Sequence, residues 1–268
     1  MTAESAAEAT PPRKGRKAKR PKGVRRPKGV RRPKGRRSWW LLLILWTVVI
    51  VVVIPFSLVL LYRFVDPPLT WTQTGRMLAG DDVSRRPVSL EAMSPNIVNA
   101  VIAAEDNRFC SHHGFDLEAI QDAIEYNQRQ EESGAGRRRG ASTISQQTAK
   151  NLFLWQGGGW FRKGLETYFT VLIETFWPKR RIMEAYLNAA EWGDGAFGVE
   201  AAARVHFDKA AADLSRREAA RLAAVLPSPR RWDASEPGPY VRGRARTLLA
   251  RAAVVRNEGL SACVLSPE

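Results

Sequence analysis

The chain has 268 residues, with 42 Lys and Arg against 27 Asp and Glu, a net charge of +15. Residues 1–37 hold 15 basic side chains and two acids, Glu4 and Glu8, a net of +13, which leaves only +2 for residues 38–268. The apolar fraction and nine tryptophans exclude a wholly disordered, collagenous or disulfide-stapled chain. Two cysteines without C-x-x-C exclude a zinc ribbon and a thioredoxin-like motif, and three histidines argue against a His-rich metal site.

In chain order, residues 1–38 read as a basic, disordered cytoplasmic tail. Its end repeats RPKGVR, RPKGVR, RPKGRR, in which Pro, Gly and like charges prevent burial of apolar surface. Its bland reading is a topology determinant with some contact to anionic lipid. Nucleic acid is not expected as a partner, because no aromatic residue interleaves the charges. Residues 39–62, WWLLLILWTVVIVVVIPFSLVLLY, carry no charge. At 1.5 Å per residue such a run crosses a hydrocarbon core of about 30 Å. It is too long for a cleaved signal peptide and reads as a transmembrane signal anchor, kinked at Pro55. The basic flank stays inside, so the rest faces out.

Residues 63–93 look like a juxtamembrane linker with little period. Residues 94–257 read as one mainly α domain. Ser94-Pro95 caps a helix whose apolar stripe is Val98, Val101 and Ile102. A second helix, about 116–129, is expected to turn Leu117, Ile120 and Ile124 inward. Residues 130–141 form a polar Gly/Arg loop. Further helices run to Phe153, along Leu165–Phe176, along Ile182–Ala190, from a capping box at Ser215–Glu218, and over about 241–256. Residues 258–268 read as a C-terminal tail. Gly193–Gly198 fits G-x-G-x-x-G, but helical sequence precedes it where the dinucleotide fingerprint needs a strand, so it reads as a turn.

Three features stand out chemically. Glu105 lies on the apolar stripe of its helix, where a carboxylate is costly unless paired or used, and a general base is the functional reading against a solvated helix end. Arg162 and Glu166 are i, i+4 neighbours, read either as a surface salt bridge or as a cation-lined acid facing an anion. Gly140–Asn151 gathers hydroxyls, amides and a Lys at a helix start, which suits a phosphate or sugar as well as a polar cap.

Four segments, taken together, resemble the peptidoglycan glycosyltransferases of glycosyltransferase family 51. Glu105–Asp116 is similar to E-D-x-x-F-x-x-H-x-G-x-D, and Gly140–Asn151 to G-x-S-T-I-x-Q-Q-x-x-K-N. Arg162–Glu166 matches R-K-x-x-E, and Lys179–Asn188 matches K-x-x-I-x-E-x-Y-L-N. The type is the monofunctional one, since the S-x-x-K and K-T-G boxes of a transpeptidase do not occur.

The resemblance implies a lysozyme-like helical glycosyltransferase domain behind the single anchor, in the bacterial inner membrane with the domain periplasmic. It implies polymerisation of lipid II into β-1,4-linked strands with inversion and release of undecaprenyl pyrophosphate. Glu105 matches the general base and Glu166 the second essential carboxylate, a candidate ligand for a divalent cation, Mg or Mn. Asp106, Ser142, Gln146, Gln147, Lys150, Asn151, Arg162 and Lys163 match substrate-binding positions, while Glu184 and Asn188 match supports of the cleft. Expected partners are lipid II, the nascent glycan strand and inner-membrane lipids; other wall synthases or divisome proteins are candidates. The pattern departs at Gly158, where many relatives place a phosphate-binding Arg; a cation from Arg137–Arg139 is one substitute. Cys110 reads as a packed thiol, with pairing to Cys263 open. A glycan-cutting muramidase of the same fold, and a catalytically silent scaffold, are the competing readings.

Overall fold

The structure, a computed structural model, describes residues 35–266 apart from 135 and 137. The disordered tail expected over 1–38 lies outside the described residues up to position 34, and helix α1 (Gly35–Val48) already begins within its last part. The apolar run Trp39–Tyr62 is helical throughout, passing through a π-helical turn (Val49–Val53) into α2 (Ile54–Tyr62). Pro55 has no N–H to give and crowds the carbonyl four residues back, so the backbone widens into a π turn just before it. That carbonyl, of Val51, accepts instead from the Tyr168 hydroxyl at 2.9 Å.

The stretch expected as a linker is more ordered than its composition suggests. Thr70 and Gln73 form a capping box at the start of α3 (Trp71–Leu78), and strand β1 (Ser84–Arg85) follows. Ser94 then caps α4 (Pro95–Glu105), as the Ser-Pro pair dictates. Every α4 residue from Ile97 to Ala103 is buried, as in a helix enclosed on all sides.

The second helix, α5 (Leu117–Glu132), forms where expected, but its apolar face does not turn inward. Leu117 and Ile124 are exposed and Ile120 is only half-buried. The sole buried position in α5 is Ala123, because no neighbouring element among the described residues covers Leu117 or Ile124. Beyond the loop come α6 (Ile144–Phe153), α7 (Gly159–Phe176) and α8 (Lys179–Ala189), and α6 packs on both α7 and α8. Phe153 stacks on Phe169 across the α6–α7 contact, with ring centroids 4.6 Å apart.

The glycine-rich decoy is a hairpin, with β2 (Glu191–Gly193) antiparallel to β3 (Ala196–Phe197) and β1 parallel on the other side of β3. Strands of two or three residues are too short to show alternation in the sequence. Gly195, at φ +75°, passes so close to β1's approach that a Cβ would lie 2.1 Å from the Asp82 carbonyl oxygen. A side chain is therefore excluded there by contact as well as by backbone conformation.

The hairpin leads into α9 (Val199–Phe207). The Ser215–Glu218 capping box opens α10 (Arg216–Val225), and α11 (Pro239–Asn257) follows; both pack on α4. The segment expected as a free tail contains α12 (Ala262–Leu265) and is tied down at three points. Ser261 bonds Asn99 of α4 at 2.7 Å, the Val264 carbonyl accepts from Arg180 of α8 at 2.7 Å, and Cys263 is bonded to Cys110. Cys110 is thus half of a disulfide closing a separation of 153 residues, not a packed thiol. Sequence alone could not pair them because the two cysteines become neighbours only when α12 returns to the first motif.

Candidate active site

Helix α4 ends at Glu105, and the chain breaks away at Asp106 with a non-helical backbone. The next turns are organised around the Asp106 carboxylate, whose side chain is 1% exposed. One oxygen accepts from the Ile144 N–H at 3.0 Å, at the first residue of α6. His112 accepts from the Gly114 N–H on Nδ1 and so turns its Nε2–H to Asp106 at 2.9 Å. The Thr143 hydroxyl donates to the Gly114 carbonyl at 2.7 Å. The first motif thereby grips the start of the second.

Asp106 and Gln146, which match substrate-binding positions, also have partners within the protein. Asp106 is buried at the N-terminus of α6, where its charge faces unpaired N–H groups and the positive end of the helix. Gln146 completes a capping box, its Oε1 accepting from the Thr143 N–H at 3.0 Å while Thr143 Oγ1 accepts from the Gln146 N–H.

With α6 fixed in this way, its next turns meet both acids. The Gln147 amide donates to Glu105 Oε2 at 2.8 Å. Lys150, one turn further on, is half-buried. Burial lowers its pKa, the Arg162 and Lys163 charges lower it further, and Glu166 and Glu105 oppose the shift. The ammonium therefore lies within the field of both carboxylates. Asn151 is half-buried beside it, and Ser142, before the cap, is exposed.

Glu166 on α7 is 3% exposed, so the surface salt-bridge reading fails. Arg162 Nη1 donates to its Oε2 at 2.8 Å, and Lys163 Nζ pairs with Oε1. Lys163 remains 37% exposed, so one face of the cluster is open. Both oxygens of Glu166 are engaged by cations, and among the described residues no group of three His, Cys, Asp or Glu could hold an ion. These residues do not fit a protein-held divalent metal. The charge balance of this cluster is that of an anion site, with Arg162 and Lys163 paired to one buried acid and Lys150 in its field.

Gly158 is the N-cap of α7 with φ +91°, between Gly157 and Gly159, which also have positive φ. A Cβ there would meet Arg162 Cβ at 2.9 Å and Trp155 Nε1 at 3.0 Å. The loop conformation itself excludes an arginine. Of the suggested substitutes, Arg137 lies outside the described residues, and the Arg139 backbone is bonded on both sides to Asn127.

The fourth motif underlies the site. Asn188 bonds the Val88 carbonyl at 2.9 Å and Glu184 accepts from the Leu90 N–H at 2.8 Å, which gives both the supporting place expected of them. Tyr186 is fully enclosed; burial raises its phenol well above the ordinary value, and the Glu105 and Asp106 charges add to the shift. It stays neutral beneath the first motif. Sequence reasoning also missed Glu174, half-buried on α7, which receives the Ser145 hydroxyl and the Lys179 ammonium and so joins the second and fourth motifs. Its spacing of eight from Glu166 puts both on one helix face, a signal that was available.

The family model described as Transglycosylase matches residues 72–253. The chain is 55% identical over 212 residues to the biosynthetic peptidoglycan transglycosylase of Rhodospirillum centenum, covering 79% of this chain and 90% of that one. It is 49% identical over 211 residues to the protein of the same name from Caulobacter vibrioides, covering 78% and 90%. Its identity to that of Pseudomonas aeruginosa is 53% over 195 residues, covering 70% and 82%.

Proposed function

The chain belongs to the transglycosylase family, and we propose that its groove polymerises lipid II with Glu105 as the general base and Glu166 as the anchor of the cations that receive the pyrophosphate. The activity is that of a peptidoglycan glycosyltransferase, which extends glycan strands in cell wall synthesis. Glu105 takes the proton of the acceptor's 4-hydroxyl. The freed oxygen forms a bond to the donor's anomeric carbon as the bond from that carbon to the pyrophosphate breaks. One displacement inverts the centre, so one base and one stabilised leaving group suffice. Gln147 holds the carboxylate in place.

The leaving group takes up negative charge as it departs. Lys150, Arg162 and Lys163 supply the opposite charge from side chains already fixed in position, the arrangement that lowers a barrier most. Glu166 keeps Arg162 and Lys163 together. Ser142, two residues before α6, and Asn151, next to Lys150 within it, are the further side chains proposed to meet sugar or phosphate oxygens. No metal step is part of the proposal.

The observation that carries this reading is what α6 presents to the two acids. Gln147 bonds Glu105, and Lys150, three residues later, feels both Glu105 and Glu166. The test is a lipid II polymerisation assay on purified wild type, Glu105→Gln and Glu166→Gln. Both variants should lose the rate by about 100-fold or more. Unchanged lipid II consumption by Glu105→Gln would remove the base, and release of muropeptides from sacculi without polymer would make the protein a cutter.

The anchor is proposed to hold the domain outside the inner membrane. The basic flank of the apolar run supports this orientation, and so does the Cys110–Cys263 disulfide, which requires an oxidising compartment. Trp160, 93% exposed, and Phe161, 73% exposed, open α7 just before Arg162 and Lys163. Aromatic rings backed by cations suit the head-group layer, which supports membrane lipid as a partner. Confining enzyme and lipid-tethered substrate to one surface raises their effective concentration.

A further inference from the structure

Helices α10 and α11, both packed on α4, leave an open groove between them. A cavity of about 230 Å3 has Arg217 and Arg221 on one wall and Arg242 and Arg246 on the other. Each pair is spaced i, i+4 and so forms a row along its helix. The floor is Ala220, Ala245 and Leu249. A second cavity of about 280 Å3 shares Arg217 and Leu249 and continues to Arg216 and Arg256.

These cations lack counter-charges. Glu218, the acid of α10, is engaged by Lys209 and by the Ser215 N–H. Helix α11 carries five arginines and no acid. Among the described residues, none of the six groove arginines forms an ion pair; Arg242 donates to the Pro237 carbonyl at 2.7 Å. Outside its tail the chain is nearly neutral, at +2, so this concentration of charge is local.

We propose that the α10–α11 groove docks an acidic amphipathic helix of a partner protein. Its small apolar side chains rest on the Ala/Leu floor, and carboxylates on its two flanks pair with the arginine rows. Guanidinium forks match carboxylates in bidentate geometry, and an apolar strip between two cationic rows is complementary to an apolar stripe between two acidic ones. A bilayer fits less well: the end of the apolar run packs on α7, and the exposed aromatics lie at the start of that helix. Nucleic acid fits less well because no aromatic ring lines the groove for stacking.

The probe is a fluorescein-labelled helical peptide of about 18 residues, roughly 27 Å long and close to the length of α11, with an Ala/Leu stripe between Glu rows. Anisotropy is read with the full-length protein in detergent, so the basic tail contributes equally to all samples. Arg217→Glu with Arg246→Glu should weaken binding by about tenfold or more and leave lipid II polymerisation unchanged. The reversed variant should in turn bind a peptide with Lys in place of Glu better than wild type does, which separates a lost surface from a misfolded one. Arg217→Gln with Arg246→Gln should give a smaller loss in the same direction. Equal affinity of wild type and reversed variant would overturn the proposal, as would equal binding of a peptide whose stripe is Ser. So would a tenfold loss seen for phosphatidylglycerol vesicles or a single-stranded oligonucleotide but not for the peptide, or a fall in polymerisation by the folded variant.

Discussion

The Tyr168 hydroxyl reaches the Val51 carbonyl at 2.9 Å, filling the acceptor that Pro55 leaves without its helical donor. Eight residues along the same run, the Val59 carbonyl accepts from Trp177 Nε1 at 2.8 Å. Two side chains of the α7 region thus grip the apolar helix by its backbone, and Glu166 stands two residues before the first of them.

Tyr168→Phe should therefore loosen the protein while leaving its shape intact. Removing the donor takes one partner from the Val51 carbonyl, at a net cost of about 0.5–1.5 kcal/mol. A lower thermal midpoint in detergent micelles checks this; an unchanged midpoint would show that the bond contributes nothing.

On the proposed role of Lys150, the reaction should be sensitive to alkaline pH. Burial, the leading cause, places its pKa below the ordinary 10.5. The folded state then binds this proton more weakly than the unfolded state does. Below the folded pKa, protonated Lys150 counts against folding, and that cost disappears as pH rises from the folded pKa toward 10.5. Activity moves the other way, because the groove loses a cation over the same interval. The polymerisation rate should fall on an alkaline limb at lower pH than an ordinary lysine would give. Lys150→Arg should abolish that limb, and Lys150→Met should lower the rate at neutral pH about 100-fold.

Gly158→Arg restores the family's residue in name only. With φ +91° and Arg162 Cβ 2.9 Å from the new Cβ, the loop must rearrange. The left-handed backbone alone costs about 1–2 kcal/mol. The expected result is a less stable protein with a lower rate, read by thermal melting and lipid II turnover. A rate gain would show that the loop adapts freely.

Opening the Cys110–Cys263 bond, by Cys263→Ala or by reductant, should cost roughly 2–5 kcal/mol for so long a loop. Denaturant titration measures it. The rate should fall as well, since Cys110 lies five residues after Glu105.

Much of this was legible beforehand. Ser94-Pro95 and the Ser215–Glu218 box open helices where their local chemistry requires, and the first two motifs meet through Asp106–Ile144 and Gln147–Glu105. What was not legible shares a cause. That Ile144, 38 residues away, donates to Asp106 is written nowhere in the first motif. Leu117 and Ile124 have the period of a buried face, yet no neighbouring element covers them. Gln146 is half of a helix cap spelled out by Thr143, and its membership of a family motif obscured that local role. Short-range rules find elements; which partner a polar side chain meets is decided by distant segments.

Residue 263 leaves the ribosome 153 positions after residue 110. The clasp five residues beyond Glu105 therefore cannot close until the whole intervening chain has been made and an oxidant is at hand. Reducing cytosol keeps it open. Fastening of the first motif is thereby tied to an oxidising setting, and copies held under reducing conditions carry it undone.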